Sequence, residues 1–315
     1  MLEISIHNTD VCITACDVLI LKYAQAFYGA DSVVSKALVE GAKKQIQIEP
    51  KPDEYVLIPS CGAITAPQVL FVGVVPLRNF EYLAIRSFTS KALRIVSEKL
   101  PNVKHVAMTM HGAGYGLDER EAFLAQLGGI MDALAEETTP SKISIVERDS
   151  GRAKRLKNIL WETWPEVSSH SKKLIYKASP ITAGADSQNK PHIFVAMPFS
   201  KDLEDVFFFG IQGPINEAGY LCERVDMVSF TGDILDRIKT RIETAALVVA
   251  DLTGANPNVY LEVGYAWGKN RPTLLLVKKT DELKFDVRGQ RCLAYENILD
   301  LAKKLKADLT ALQMA

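Results

Sequence analysis

The residues best placed to do chemistry lie between Ala246 and Gly268, in the run ALVVADLTGANPNVYLEVGYAWG. Leu247–Ala250 reads as a fully buried strand, which puts Asp251 at its carboxyl end, where open α/β sheets take ligands. The loop LTGANP then turns the chain, and Asn258 is expected to cap the helix that follows. The free N–H groups of that first turn favour an anion or a sugar oxygen nearby. Glu262 falls one turn into the helix, with Tyr265 three residues on, on the same flank. Gly264 leaves room for close approach of a ligand or another backbone. Most helical glutamates are solvated, but this one is set among Leu261, Val263, Tyr265, Ala266 and Trp267. A carboxylate held against the anomeric carbon of a sugar can attack it, or stabilise the oxocarbenium-like transition state of glycosidic cleavage. A neutral leaving group also wants a general acid, for which Asp226 and Asp251 are available. Two further segments belong with this region: HIFVAMPF (192–199), a strand ending at Met197, Pro198 and Phe199, and FDVRGQR (285–291).

A second candidate lies at HVAMTMHGAGYGLDEREAF, residues 105–123. A buried strand runs into a loop containing Gly112, Gly114 and Gly116 and then into a helix opened by Asp118 and Glu121. Exposed backbone N–H groups at such glycines, with the positive end of a helix, can cradle a diphosphate. A tight structural turn would look the same from sequence; His111 beside it could polarise a ribose, although a lone histidine next to a glycine turn is more often structural.

The elements that must hold these residues alternate short apolar runs with amphipathic stretches, the pattern of βα units and a mainly parallel sheet. In the first half the strands are expected at Cys16–Lys22, Tyr55–Ile58, Val69–Val75, Val103–Met110 and Ile143–Glu147. Tyr82, Ile85, Leu93 and Val96 mark one helix, and Phe123, Leu127, Ile130 and Leu134 another. In the second half strands are expected at Ile193–Ala196, Tyr220–Val225, Ala246–Asp251 and Thr273–Lys279. A helix there presents Ile234, Leu235, Ile238 and Ile242 on one face. The polar, Ser- and Pro-containing stretch between the halves reads as a linker. The expectation is two α/β domains: residues 1–165, a linker at 166–190, and residues 191–315.

Composition narrows the classes. Lysine plus arginine number 37 against 38 acidic residues, a balance unlike that of a chain built to coat nucleic acid or an anionic membrane. The basic stretch Arg152–Lys157 reads as a solvated helix face. The five cysteines show no CxxC spacing, so neither a disulfide framework nor a zinc site is expected, and no other metal ligand set is read. Reduced thiols and the lack of a signal-like or membrane-spanning run lead to the expectation of a cytoplasmic protein.

At FVAMPF and VVADLTGANPNVYLEVGYA the chain resembles TIR-like and nucleoside 2-deoxyribosyltransferase-like nucleotide-binding domains, over roughly Pro191–Glu296. The resemblance implies a flavodoxin-like parallel sheet with Glu262 as the catalytic residue and Asp251 matching the aspartate of the strand end. It matches Phe285, Asp286, Arg288 and Gly289 to a Phe-Asp-x-Arg-Gly element, and puts Met197, Pro198, Phe199, Asp226, Asn258 and Tyr265 around the substrate. TIR-like members cleave NAD at its N-glycosidic bond, needing no other cofactor, and self-associate; the transferase-like members exchange bases on deoxynucleosides. Cationic nicotinamide leaves easily, so a single carboxylate suffices for NAD.

The first half more loosely resembles a macro domain, or the related N-terminal domain of leucyl aminopeptidases, over residues 1–165. That resemblance implies ADP-ribose binding, with Asp10 reading adenine and Gly112, Gly114 and Gly116 holding the diphosphate. Where catalytic macro domains carry an Asn-rich segment, this chain has KYAQAF (22–27), which implies a binding or oligomerising domain rather than a hydrolase. Together the two resemblances imply a homo-oligomeric NAD-cleaving enzyme, such as a bacterial antiviral-defence effector controlled by a nucleotide signal. A nucleoside or nucleotide deoxyribosyltransferase or N-glycosidase is the alternative, and a non-enzymatic nucleotide sensor the second.

Overall fold

The computed structural model describes residues 2–41, 47–135, 140–164, 182–225, 232–279, 287, 290 and 292–313. The chain divides into two compact units: Met1–Ala113 with Glu119–Gln188, and Gly114–Asp118 with Asn189–Ala315.

The first unit holds a sheet of six strands: β1 (Glu3–Asn8), β2 (Val18–Tyr23), β3 (Tyr55–Pro59), β4 (Gln68–Gly73), β5 (His105–Thr109) and β6 (Lys142–Glu147). Their order is β1-β6-β5-β2-β4-β3, parallel except for β3, which runs against β4. Every residue of β2 is buried, as a central strand covered on both faces requires. Its helices are α1 (Gly29–Gly41), α2 (Tyr82–Lys99), α3 (Glu119–Ala135) and α4 (Ser150–Thr163). The stripe read on α2 is buried throughout; on α3 Phe123, Leu127 and Ile130 are buried and Leu134 half-buried. The two helices meet at Gly129, where a β-carbon would lie 2.4 Å from the Arg86 carbonyl oxygen.

The second unit holds β7 (His192–Ala196), β8 (Leu221–Glu223), β9 (Leu247–Asp251), β10 (Thr273–Lys278) and β11 (Cys292–Tyr295), all parallel, in the order β11-β10-β9-β7-β8. One face carries the π-helical turn Val206–Gln212 running into α5 (Gly213–Glu217), together with α8 (Ile298–Gln313). The other carries α6 (Gly232–Thr244) and α7 (Pro257–Gly268).

The expected strands appear with ends shifted by a few residues, and two more join them. β1 is an edge strand with only one fully buried residue, Ile6, so it lacks a strong apolar signature. β11 is four residues long, too short to announce itself. On α6, Ile234, Ile238 and Ile242 are buried but Leu235 is exposed. The rest of that face is filled by Arg237 and Arg241, a buried use of charge that a hydrophobic pattern hides. The stretch read as linker falls partly outside the described residues, and its end belongs with the first unit. There Arg86 Nη1 donates to the Ala183 carbonyl at 2.8 Å and Ser187 Oγ to Glu121 at 2.7 Å.

Candidate active site

The carboxyl edge of the second sheet gathers the side chains of interest. Asp251 ends β9 and is fully buried. One carboxylate oxygen accepts the Thr253 backbone N–H at 3.0 Å and the other accepts the Tyr295 hydroxyl at 3.0 Å. These bonds hold the Thr253–Ala255 turn, in which Gly254 (φ 74°) and Ala255 (φ 50°) are left-handed, against β11. Asp251 is thus a brace with both oxygens engaged.

Asn256, not Asn258, caps α7: its side chain accepts the Asn258 backbone N–H at 2.9 Å. The reason is Pro257, whose fixed φ and missing N–H suit the first helical position. Asn258 is exposed.

Along α7, Val259, Val263 and Ala266 point into the core. Glu262 lies on the flank shared with Tyr265, whose hydroxyl donates to Glu243 near the end of α6. This flank therefore faces the seam between α6 and α7. Glu262 is half-buried, and among the described residues its carboxyl has neither an ion-pair nor a hydrogen-bond partner. Loss of water alone pushes its pKa from 4.5 up to about 7. An uncompensated, desolvated carboxylate near neutral pKa is unlike the paired acids elsewhere in the chain, such as Glu119 with Arg152 and Arg155. Gly264 is two residues away, about 200° round the helix, on the opposite flank, with nothing within 4 Å of an added β-carbon. The room it leaves is not beside Glu262.

Met197 and Pro198 follow β7, with Met197 buried and Phe199 exposed. Sequence reading missed Arg224, buried at the end of β8. Its guanidinium lies 5.1 Å from the centroid of the Phe199 ring and 3.7 Å from that of Phe207, and it donates to Met197 Sδ at 3.3 Å. The FFF run at 207–209 was the available signal, since aromatic faces attract a buried guanidinium. Asp226, Phe285, Asp286, Arg288 and Gly289 lie outside the described residues.

The glycine-rich loop is divided between the units. Gly112 stays with the first unit, and Gly114 and Gly116 belong to the second. All three have positive φ. A β-carbon on Gly116 would lie 3.1 Å from Val225 and 3.5 Å from Arg237 and Arg241. The Tyr115 carbonyl accepts from Arg237 Nε at 3.0 Å, and Asp118 accepts the Cys222 backbone N–H at 3.1 Å. The loop is closely packed at Gly116. Asp10 accepts the Cys12 backbone N–H at 2.8 Å, capping a single 3-10 turn. His111 is buried edge-on to Phe88 at 4.7 Å, and burial holds its pKa well below the usual imidazole value.

Among the described residues no group of three His, Cys, Asp or Glu side chains is arranged to hold a metal, and no helix is long and apolar enough to cross a membrane. All five cysteines are free thiols.

No family model matches the chain, and no curated protein matches it. Solved macrodomains of Oceanobacillus iheyensis are similar in fold to part of it. A variant with ADPR is 16% identical, with a TM-score of 0.39, over 51% of this chain and 92% of that one. The form with MES bound is 14% identical, with a TM-score of 0.40, over 51% and 90%. A second variant is 14% identical, with a TM-score of 0.39, over 50% and 88%.

Proposed function

We propose that the second unit cleaves the N-glycosidic bond of NAD, with Glu262 as nucleophile. The observation that carries this is the Glu262 carboxyl: desolvated, without a counter-charge among the described residues, and near half ionisation at neutral pH. Such a group is poised for chemistry and lacks only a cation. The nicotinamide ring of NAD brings one, whereas a neutral deoxynucleoside does not. The strand order, counted within the unit as 2-1-3-4-5, is the flavodoxin-like one and supports the TIR-like and deoxyribosyltransferase-like resemblance.

In this reading a Glu262 oxygen bonds to C1′ of the nicotinamide ribose. The C1′–N bond breaks, its electron pair neutralises the ring nitrogen, and nicotinamide leaves. Water then attacks C1′, the carboxylate is released, and ADP-ribose and one proton are formed. Asp251 is a positioning residue, holding the turn that starts α7. Met197, Phe199 and Arg224 form a cluster of their own beyond the ends of β7 and β8, and the place of Met197 and Phe199 around the substrate rests on the resemblance. The first unit would bind an ADP-ribose-like nucleotide, and self-association would follow the resemblance. Leu261 and Trp267 offer exposed apolar surface on α7 for it.

Separate incubations of the full chain with NAD and with deoxynucleosides, followed by chromatography, test the reading. Release of nicotinamide with deoxynucleosides untouched is the expected result. Base exchange on deoxynucleosides with NAD left intact would replace it with the transferase reading.

A further inference from the structure

Four side chains of the first unit, none of them used in the chemistry above, form one polar chain across three strands. His7 Nε2 and Ser5 Oγ on β1 are 2.9 Å apart. Ser5 Oγ lies 3.4 Å from Ser144 Oγ on β6, and Ser144 Oγ lies 2.8 Å from His105 Nε2 at the start of β5. The parallel register aligns them: Ser5 pairs with Ser144, and Lys142, two residues before Ser144, pairs with His105. Side chains two apart on a strand share a face, so all four lie on the side of the sheet where Ala107 and Val146 join the core beneath α1. Ser144 is fully buried, and Ser5, His7 and His105 are half-buried. Among the described residues none of the four side chains has a hydrogen-bond partner outside this chain.

The lengths indicate where the hydrogens are. Both Ser–His links are of ordinary length, whereas 3.4 Å is long for a bond between two hydroxyls. Each serine has one hydrogen to give. Both are spent on the imidazoles, so each Nε2 is an acceptor and each neutral ring carries its proton on Nδ1. The two serine oxygens then face each other with no hydrogen between them. The charges around His105 are Lys142 and Glu3, an ion pair at 3.3 Å, together with Asp17 ahead of β2 and His7 itself. Burial, and after it Lys142, hold the His105 pKa below the usual imidazole value; Asp17 and Glu3 act the other way, and His7 adds to the depression.

We propose that His7, Ser5, Ser144 and His105 are a proton relay, a pH-sensitive link between β1, β6 and β5 in which a proton taken up at either imidazole is registered at the other through the two hydroxyls. A proton arriving at His105 Nε2 makes that nitrogen a donor. Ser144 Oγ accepts from it and turns its own hydrogen to Ser5 Oγ, while Ser5 goes on donating to His7 Nε2. One proton enters, none leaves, and each of the three links then holds one hydrogen. The gap between the serines closes, and the edge strand β1 is tied to β6 through side chains as well as backbone. Uptake at His7 runs the same exchange from the other end. A second proton puts like charges on both rings and finds no open link to close, so the two rings titrate as a coupled pair. The relay is independent of the NAD-cleaving reading.

Titration of the imidazole nitrogens by NMR in the full chain tests it, with wild type compared with Ser5→Ala, Ser5→Thr and His7→Gln, each checked for folding by circular dichroism. In the neutral wild type Nε2 of both rings should be unprotonated. Ser5→Ala makes no contact with His105 but removes the acceptor for the Ser144 hydrogen. It should lower the His105 midpoint by about half a pH unit or more, as loss of one neutral hydrogen bond implies. Ser5→Thr keeps the hydroxyl on a residue suited to a strand and should restore the midpoint. His7→Gln keeps an acceptor for Ser5 and removes a charge, so it should raise the midpoint. A proton on Nε2 of either neutral ring, a His105 midpoint unmoved by Ser5→Ala, or equal losses in Ser5→Ala and Ser5→Thr would each overturn the proposal.

Discussion

Replacing Glu262 by glutamine should abolish bond cleavage and yet stabilise the protein, and the gain should depend on pH. The Glu262 pKa is raised from 4.5 to about 7, so between those values the folded state binds more protons than the unfolded one. Stability contributed by this side chain is then greatest below pH 4.5 and falls as pH rises through about 7. The full shift corresponds to about 3 kcal/mol against the ionised form, and the half-exposed position reduces this to about 2 kcal/mol. Glutamine is neutral at every pH and nearly isosteric. The variant should therefore match wild type at pH 4 and exceed it at pH 8 by about 2 kcal/mol, a shift of roughly 5 °C in the unfolding midpoint. Scanning calorimetry of both proteins at the two pH values reads this directly. Equal midpoints at pH 8, or a less stable variant there, would mean that the carboxylate is solvated or paired, and the reasoning about its reactivity would fail with it.

Other perturbations follow from the same geometry. As a nucleophile Glu262 must be ionised, so kcat/KM for NAD should rise with pH through an apparent pKa of about 7; a falling limb there would make it a proton donor instead. Gly264→Ala adds a methyl group into open space on the far flank of α7 and should stabilise by about 0.5–1 kcal/mol in denaturant titrations with activity unchanged; a destabilised variant would contradict the assigned orientation. Tyr295→Phe removes a donor to the buried Asp251 carboxylate and should cost about 1–3 kcal/mol, and a neutral effect would show that the turn does not need the brace. In the first unit, Lys22 and Asp31 form a buried ion pair. Lys22→Met or Asp31→Leu alone should each cost about 3–5 kcal/mol, and the double variant less than either; additive losses would contradict a coupled pair.

Periodicity made the β-strands legible where they are central. Val18–Leu21 and Leu247–Ala250 are continuous apolar runs because helices cover both faces of their sheets. The edges were not legible, since β1 exposes polar groups and β11 is short. Glu262 stood out because an acid inside an apolar helical run is uncommon, and the side chain is half-buried. The cap moved from Asn258 to Asn256 because Pro257 decides where the helix starts. What pattern could not reveal is partnership across the chain. Asp251 looks like a free strand-end acid until Tyr295 is placed beside it, and nothing around Gly116 in the sequence announces that Val225 and Arg237 pack against it. Arginines at 237 and 241 break a hydrophobic count although both are buried.

Nicotinamide release from NAD by the full chain, wild type against Glu262→Gln in the same buffer at pH 8, bears most directly on the central claim. Turnover by the wild type and none by the variant, which remains folded and is the more stable of the two, is the outcome required of a nucleophilic Glu262. Equal release by both proteins would remove that side chain from the chemistry.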